Sequence, residues 1–189
     1  FVKTWRDALR ERGAPGRLLG NLPYRSASLM IADMIEGGLR PQRSIVTVQR
    51  EAAQRMCSLP GLKSYSSFSV LCQAAFSVKV LGDLKPGSFY PAPDVTSSVV
   101  QLIPRHDAPT GRALEMLGTL ARALFASRRK TIRNNIGAAT LPAGTHPEEA
   151  LAALEREGVD PASRAEVLAP EVFIRAAVEL SRGRGSDLR

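Results

Sequence analysis

The chain has 189 residues, is 44% hydrophobic and carries a formal net charge of +8. That length suits one domain, or a core domain with a small appendage. No apolar run approaches the roughly 18–20 residues that span a bilayer, and the opening "FVKTWRDALR" has no apolar signal-peptide core, so a cytoplasmic protein is expected. Cys57 and Cys72 lack metal-ligand spacing and read as two reduced, buried thiols, with His106 and His146 as surface loop residues, so no metal is expected. The positive excess suits an anionic partner. It peaks in residues 110–139, which hold six basic and one acidic side chain.

In chain order, residues 3–12 have helical composition and stop at the breakers Gly13, Pro15 and Gly16. "RLLG" then reads as a short buried strand ending at Asn21. Over 28–36, "SLMIADMIE" places apolar side chains at 29, 30, 31, 34 and 35, the spacing of an amphipathic helix. Ser26 or Ser28 is its candidate cap and Gly37-Gly38 its stop. "SIVTVQ" at 44–49 reads as a strand buried on both faces, and "REAAQRM" at 50–56 returns to helix. This alternation predicts an α/β layer with parallel strands. A further helix is expected within 66–76. "SVKVLGDL" at 77–84 and "VTSSVVQLIP" at 95–104 follow, joined by the loop "KPGSFYPAPD". Strands joined without a long crossover should pair antiparallel. After Pro104, "RHDAPTG" looks like a linker, and 112–181 reads as several helices. The expected division is therefore 1–105, an α/β domain, and 106–189, a helical domain.

The tetrapeptide Asn21-Leu22-Pro23-Tyr24 stands at the carboxyl end of the first parallel strand, where open α/β sheets bind ligands. The Asn21 side chain offers an acceptor and two donors, Pro23 fixes the backbone, and Tyr24 supplies a planar face. Together the Asn21 side-chain oxygen and the Leu22 carbonyl can accept both hydrogens of an amino group on an aromatic ring lying against Tyr24. That is a grip for an adenine swung out of its helix or loop. Phe89, in a loop stiffened by Pro91 and Pro93, is the candidate for the opposite ring; Tyr90 reads as the more structural of the two.

With these motifs in order, the chain resembles the small-subunit ribosomal RNA adenine N6-dimethyltransferases and shares elements with the large-subunit enzymes that confer macrolide resistance. The resemblance is carried by "NLPY", "VQREAAQRMCSLPGLKSYSSFSVLCQ", "FYPAPDVTSSVV", "LFASRRKTIRNNI" and "RAEVLAPEVF", across residues 18–181. It implies a Rossmann-like methyltransferase sheet, incomplete here, followed by a small all-helical domain that binds RNA. It implies S-adenosyl-L-methionine as cofactor, and dimethylation of two adjacent adenosines near the 3′ end of small-subunit rRNA during ribosome biogenesis. Asn21, Leu22, Pro23, Tyr24 and Phe89 become the catalytic set. Asn21 forms one wall of the cofactor site, and Arg128, Arg129, Lys130 and Arg133 lie along a basic helix facing RNA in the small-subunit precursor. Asp94, Thr96 and Ala169 depart from the family pattern, which commonly has a basic residue, an acidic residue and a serine there.

The Gly-rich loop and acidic residues that precede the tetrapeptide in this family are not found in residues 1–20, and Phe1 is not a start methionine. The expectation is a C-terminal portion of the enzyme, truncated or proteolysed, inactive in isolation. The competing functions are a non-catalytic rRNA-binding or ribosome-assembly module and a DNA adenine methyltransferase. The basic "SRRKTIRNN" segment argues against the second. It also has a bland reading, a solvated helix face. A structural role, in which Arg133, Asn134 and Asn135 order the domain boundary, is a further alternative.

Overall fold

The computed structural model describes residues 16–182. The helix expected over 3–12 lies outside them. Among the described residues, four strands form one mixed sheet: β1 (Arg17–Asn21), β2 (Arg43–Gln49), β3 (Phe76–Leu84) and β4 (Ser97–Pro104), in the order β1-β2-β4-β3. Strands β1 and β2 run parallel because helix α1 (Ala27–Glu36) carries the chain back between them. Helices α2 (Arg50–Met56) and α3 (Ser67–Ala75) lead from β2 to β3. A loop with a single 3-10 turn at Pro86–Ser88 then returns the chain as β4, which inserts between β2 and β3 antiparallel to both.

Helix α1 stops where its glycines require. Gly38 has φ +73°, and Leu39 N–H donates to the Met34 carbonyl at 3.0 Å while Gly38 N–H donates to that of Ile35. At the other end Ser26 occupies the cap position without a side-chain capping bond. The turn is closed instead by the Pro23 carbonyl, which accepts from Ser26 N–H at 3.1 Å and Ala27 N–H at 2.9 Å. Pro23 thus starts the helix that follows the tetrapeptide.

Two expectations about strand burial are corrected. In β2, Ser44, Val46 and Val48 are buried, but Ile45, Thr47 and Gln49 are only half-buried. In β1 exposed and half-buried residues alternate, and Leu19 is 85% exposed. The cause is common to both. Helices α1, α2 and α3 cover one face of the sheet, and β1 is an edge of the sheet among the described residues. The covered face presents Val46, Val48, Val100, Leu102 and Phe76 to Ile31 and Ile35 of α1, Met56 of α2 and Leu71 and Cys72 of α3.

In β3 the register slips between Val80 and Gly82, leaving Leu81 as the extra, half-exposed residue. The bulge brings Asp83 opposite Ser98, whose hydroxyl donates to Asp83 Oδ1 at 2.6 Å.

Beyond the linker come α4 (Gly111–Leu124), α5 (Ile132–Gly137), α6 (Pro147–Arg156) and α7 (Pro170–Arg182). Helix α4 packs on α7, and both pack on α3 of the sheet layer. Leu117, Leu120 and Phe173 belong to the same continuous apolar cluster as Val100 and Leu71.

Candidate active site and RNA-facing surface

Asn21 ends β1 opposite Thr47, and the ladder extends one step further, with Leu22 N–H donating to the Thr47 carbonyl at 3.0 Å. The backbone of Leu22 is therefore fixed by the sheet, and that of Pro23 by the first turn of α1. Among the described residues, the Asn21 carboxamide and the Leu22 carbonyl have no hydrogen-bond partner, and Asn21 is exposed. Two acceptors on a rigid strand end, both unengaged, are what an exocyclic amino group needs.

Tyr24 is half-buried, and its hydroxyl shares a hydrogen bond with the Ser97 hydroxyl at the first residue of β4. Ser97 pairs with Gln49 on one side and Leu84 on the other, so it is also the root of the loop that carries Phe89. Phe89 is half-buried, and its N–H closes the 3-10 turn on the Pro86 carbonyl at 3.1 Å. Tyr90 is fully exposed. The sequence predicts the reverse, with Tyr90 the structural ring.

A pocket of about 320 Å³ opens beside the same root, lined by Gln49, Arg50, Glu51, Gln54, Val95 and Thr96. Sequence reasoning placed no site there. It is made by β2 running straight into α2 while Arg50 N–H ties that junction to the Thr96 carbonyl at 3.0 Å. The Arg50 guanidinium lies 3.4 Å from Asp83 Oδ2.

The basic run departs from its predicted setting. Arg128, Arg129 and Lys130 do not lie on a helix. They form an exposed turn between α4 and α5, and Arg133 follows on α5. Arg128 is committed to the protein: Nη1 donates to the Tyr65 carbonyl at 2.6 Å and the Lys63 carbonyl at 3.0 Å, and Nη2 to Glu166 Oε2 at 2.8 Å. With three acceptors its guanidinium acts as a clamp between this turn, residues 63–65 and Glu166, which leaves fewer donors for a phosphate. Arg129, Lys130 and Arg133 remain exposed without an ion-pair partner among the described residues. Of Arg133, Asn134 and Asn135, Asn135 has a buried ordering role among the described residues, and it orders the turn between α4 and α5, not the boundary at 105–106. It is buried, and its Nδ2 donates to the Leu124 carbonyl at 2.8 Å and the Ser127 carbonyl at 3.0 Å.

Cys72 is buried as expected but Cys57 only half-buried, and burial pushes both thiols above their ordinary range, which disfavours the thiolate. Among the described residues there is no cluster of metal-ligating side chains, and no helix is long and apolar enough to cross a membrane.

The sequence profile of the family described as "Ribosomal RNA adenine dimethylase" matches residues 7–181. The chain belongs to this family. Curated relatives include the ribosomal RNA small subunit methyltransferase A of Treponema denticola, 36% identical over 172 residues, covering 91% of this chain and 58% of the relative. The protein of the same name in Rubrobacter xylanophilus is 40% identical over 173 residues, covering 89% of this chain and 63% of the relative. The chain thus spans about three-fifths of the length of these relatives. Among solved structures, a dimethyladenosine transferase from Plasmodium falciparum superposes with a TM-score of 0.73 at 20% identity, covering 88% of this chain and 66% of that one. The 23S rRNA methyltransferase ErmE gives 0.61 at 19% identity, covering 95% and 77%. The shared fold is the Rossmann-like sheet followed by helices. As a dimethylase-family chain, this one carries its unpartnered acceptors at the carboxyl end of a parallel strand, the expected place for ligands in such a sheet.

Proposed function

We propose that this chain carries the base-gripping centre and part of the RNA-binding surface of an S-adenosylmethionine-dependent rRNA adenine N6-dimethyltransferase. The substrate would be two adjacent adenosines near the 3′ end of small-subunit rRNA, met in a precursor of the small ribosomal subunit. The observation that carries the reading is the pair of unengaged acceptors, the Asn21 side-chain oxygen and the Leu22 carbonyl, on a strand end braced by Thr47.

The amino nitrogen of adenine is a weak nucleophile because its lone pair is delocalised into the ring. The two acceptors would take its two N–H bonds at about 2.9 Å and favour a more pyramidal nitrogen. As that nitrogen forms its bond to carbon, positive charge develops on it. The same oxygens, together with the π faces of Tyr24 and Phe89, stabilise that charge. The proton is then lost from nitrogen to solvent, and no side chain here need act as a strong base. Stacking on each ring contributes about 1–3 kcal/mol to holding the base, and alignment can contribute about 7–11 kcal/mol to the rate.

The donor set at the end of β1 fits one wall of the cofactor site, since the exposed Asn21 carboxamide offers both donors and an acceptor. S-adenosyl-L-methionine, when bound, would supply an electrophilic methyl group, its carbon–sulfur bond breaking as the carbon–nitrogen bond forms and leaving neutral S-adenosylhomocysteine. Arg129, Lys130 and Arg133 would hold phosphates.

The test is Asn21→Ala in the full-length enzyme. Because its bond matters most as charge develops, turnover of an rRNA hairpin should fall at least about tenfold, with hairpin affinity unchanged. Equal losses of binding and turnover would instead assign Asn21 to RNA binding.

A further inference from the structure

We propose that Ser97 is a positioning residue that fixes where the Tyr24 ring stands and couples it to the Phe89 loop. The proposal rests on the reading that these two rings grip a base.

Tyr24 follows a proline at the surface, and its ring is only half-buried. A half-buried ring can swing about χ1 unless its far end is held. Its far end is held by Ser97, 73 residues later in the chain. The serine is a firm anchor. It is 0% exposed and paired in the ladder on both sides, with Gln49 of β2 and Leu84 of β3. Its neighbours are fixed too: the Thr96 carbonyl by Arg50 N–H, and the Ser98 hydroxyl by Asp83. Ser97 makes no other side-chain hydrogen bond among the described residues, so Tyr24 is the sole partner of a buried hydroxyl that needs one.

The placement has a second consequence. Ser97 and its ladder partner Leu84 are the two posts from which residues 85–96, with Phe89, project. One hydroxyl therefore ties the tetrapeptide turn to the base of the opposing loop. The separation of the two ring-bearing segments is set by the β4 backbone and not by the loop alone. A serine hydroxyl stands a single bond beyond its Cβ, which makes it a short, stiff spacer between strand and ring.

The probe is an RNA hairpin with 2-aminopurine at the target adenosine, a base that keeps the stacking face but lacks the 6-amino group and so reads the two rings apart from the Asn21 and Leu22 contacts. Its short-lifetime fluorescence at saturating protein reports the base stacked between protein rings, separately from hairpin affinity. Losing one hydrogen bond should reduce the stacked population about fivefold in Ser97→Ala, with hairpin affinity unchanged. Tyr24→Phe, which keeps the ring and removes the same bond, should give the same reduction. Adding Ser97→Ala to Tyr24→Phe should reduce it no further, and Ser97→Thr, which keeps the hydroxyl, should restore it. A merely structural serine would give additive losses in the double variant, and that result overturns the proposal. So does a wild-type stacked population in either Ser97→Ala or Tyr24→Phe; the latter arm still decides if Ser97→Ala folds poorly. If the wild-type protein shows no stacked population and Tyr24→Ala changes nothing, the reading that the two rings grip a base fails and takes the proposal with it. If Tyr24→Ala abolishes stacking while Ser97→Ala does not, only the positioning role is overturned.

Discussion

Tyr65 shows how much of this chain depends on single side chains that the sequence does not advertise. It is fully buried, and its hydroxyl donates to the Leu168 carbonyl at 2.8 Å across 103 residues of sequence. Burial pushes the phenol well above its ordinary range, with the Glu171 carboxylate adding to the effect. The folded protein therefore keeps this proton after the unfolded chain has released its own. The stabilisation is complete below the unfolded value near pH 10 and disappears as pH rises through the folded one. Tyr65→Phe should cost about 1 kcal/mol at pH 7, because the hydrogen bond goes. Above pH 10 the wild type should lose stability faster than the variant, by up to about 1.4 kcal/mol per pH unit. Urea melts of both proteins at pH 8 and pH 11 check this, and parallel losses would contradict it. The tetrapeptide and Phe89 were legible because their residue types carry the chemistry. Ser97, Tyr65 and Arg128 were not, because each acts through a partner more than 60 residues away that no local pattern reveals.

Among the elements, the strands and helices of the α/β layer were legible from periodicity, and the antiparallel pairing from the absence of a crossover. The insertion of β4 between β2 and β3 was not, since pairing partners are set by long-range packing. The basic segment shows the same limit. "SRRKTIRNN" has no breaker, so it reads as helix, yet the structure makes a turn there. Asn135 supplies the reason by drawing the Leu124 and Ser127 carbonyls together, and Thr131 starts α5 by accepting from Asn134 N–H at 3.3 Å. The turn presents Arg129 and Lys130 to solvent, with Arg133 close behind. If these residues hold phosphates, Arg129→Gln with Arg133→Gln should weaken hairpin binding. The slope of log affinity against log salt should fall by about 0.7–0.9 for each phosphate no longer neutralised. Arg128→Gln should do neither. It should instead lower the melting temperature, because two backbone carbonyls and Glu166 are left without their donor. Binding that follows Arg128 and ignores Arg129 and Arg133 would reverse the assignment.

For the whole molecule, the question is whether the division expected at residues 105 and 106 is one of folding units. Composition changes there, but the linker is tied down on both sides. Arg105 donates to Asp107, to Glu171 Oε1 at 3.2 Å and to the Gln73 carbonyl at 3.3 Å, and Arg40 donates to the Ala108 and Pro109 carbonyls. The Arg105 guanidinium holds the Asp107 carboxyl at about 2, well below the usual carboxylate range. Beneath the linker, Tyr65 from the sheet layer meets Phe125 edge-on at 5.6 Å, and Phe125 stacks on Phe173 of α7 at 6.1 Å. These three rings join the α/β layer to the helices inside one apolar cluster. Two halves that share a core should unfold together, so we expect one cooperative transition for the described region. Phe173→Ala removes the fully buried end of the ring stack and should cost about 3–5 kcal/mol. The effect should appear equally in hydrogen exchange of β2 and β4 and in that of α4 and α7, with calorimetric and van't Hoff enthalpies equal. If the substitution unfolds α4 to α7 while β2 and β4 keep their protection, the linker divides two folding units and the shared core does not bind them.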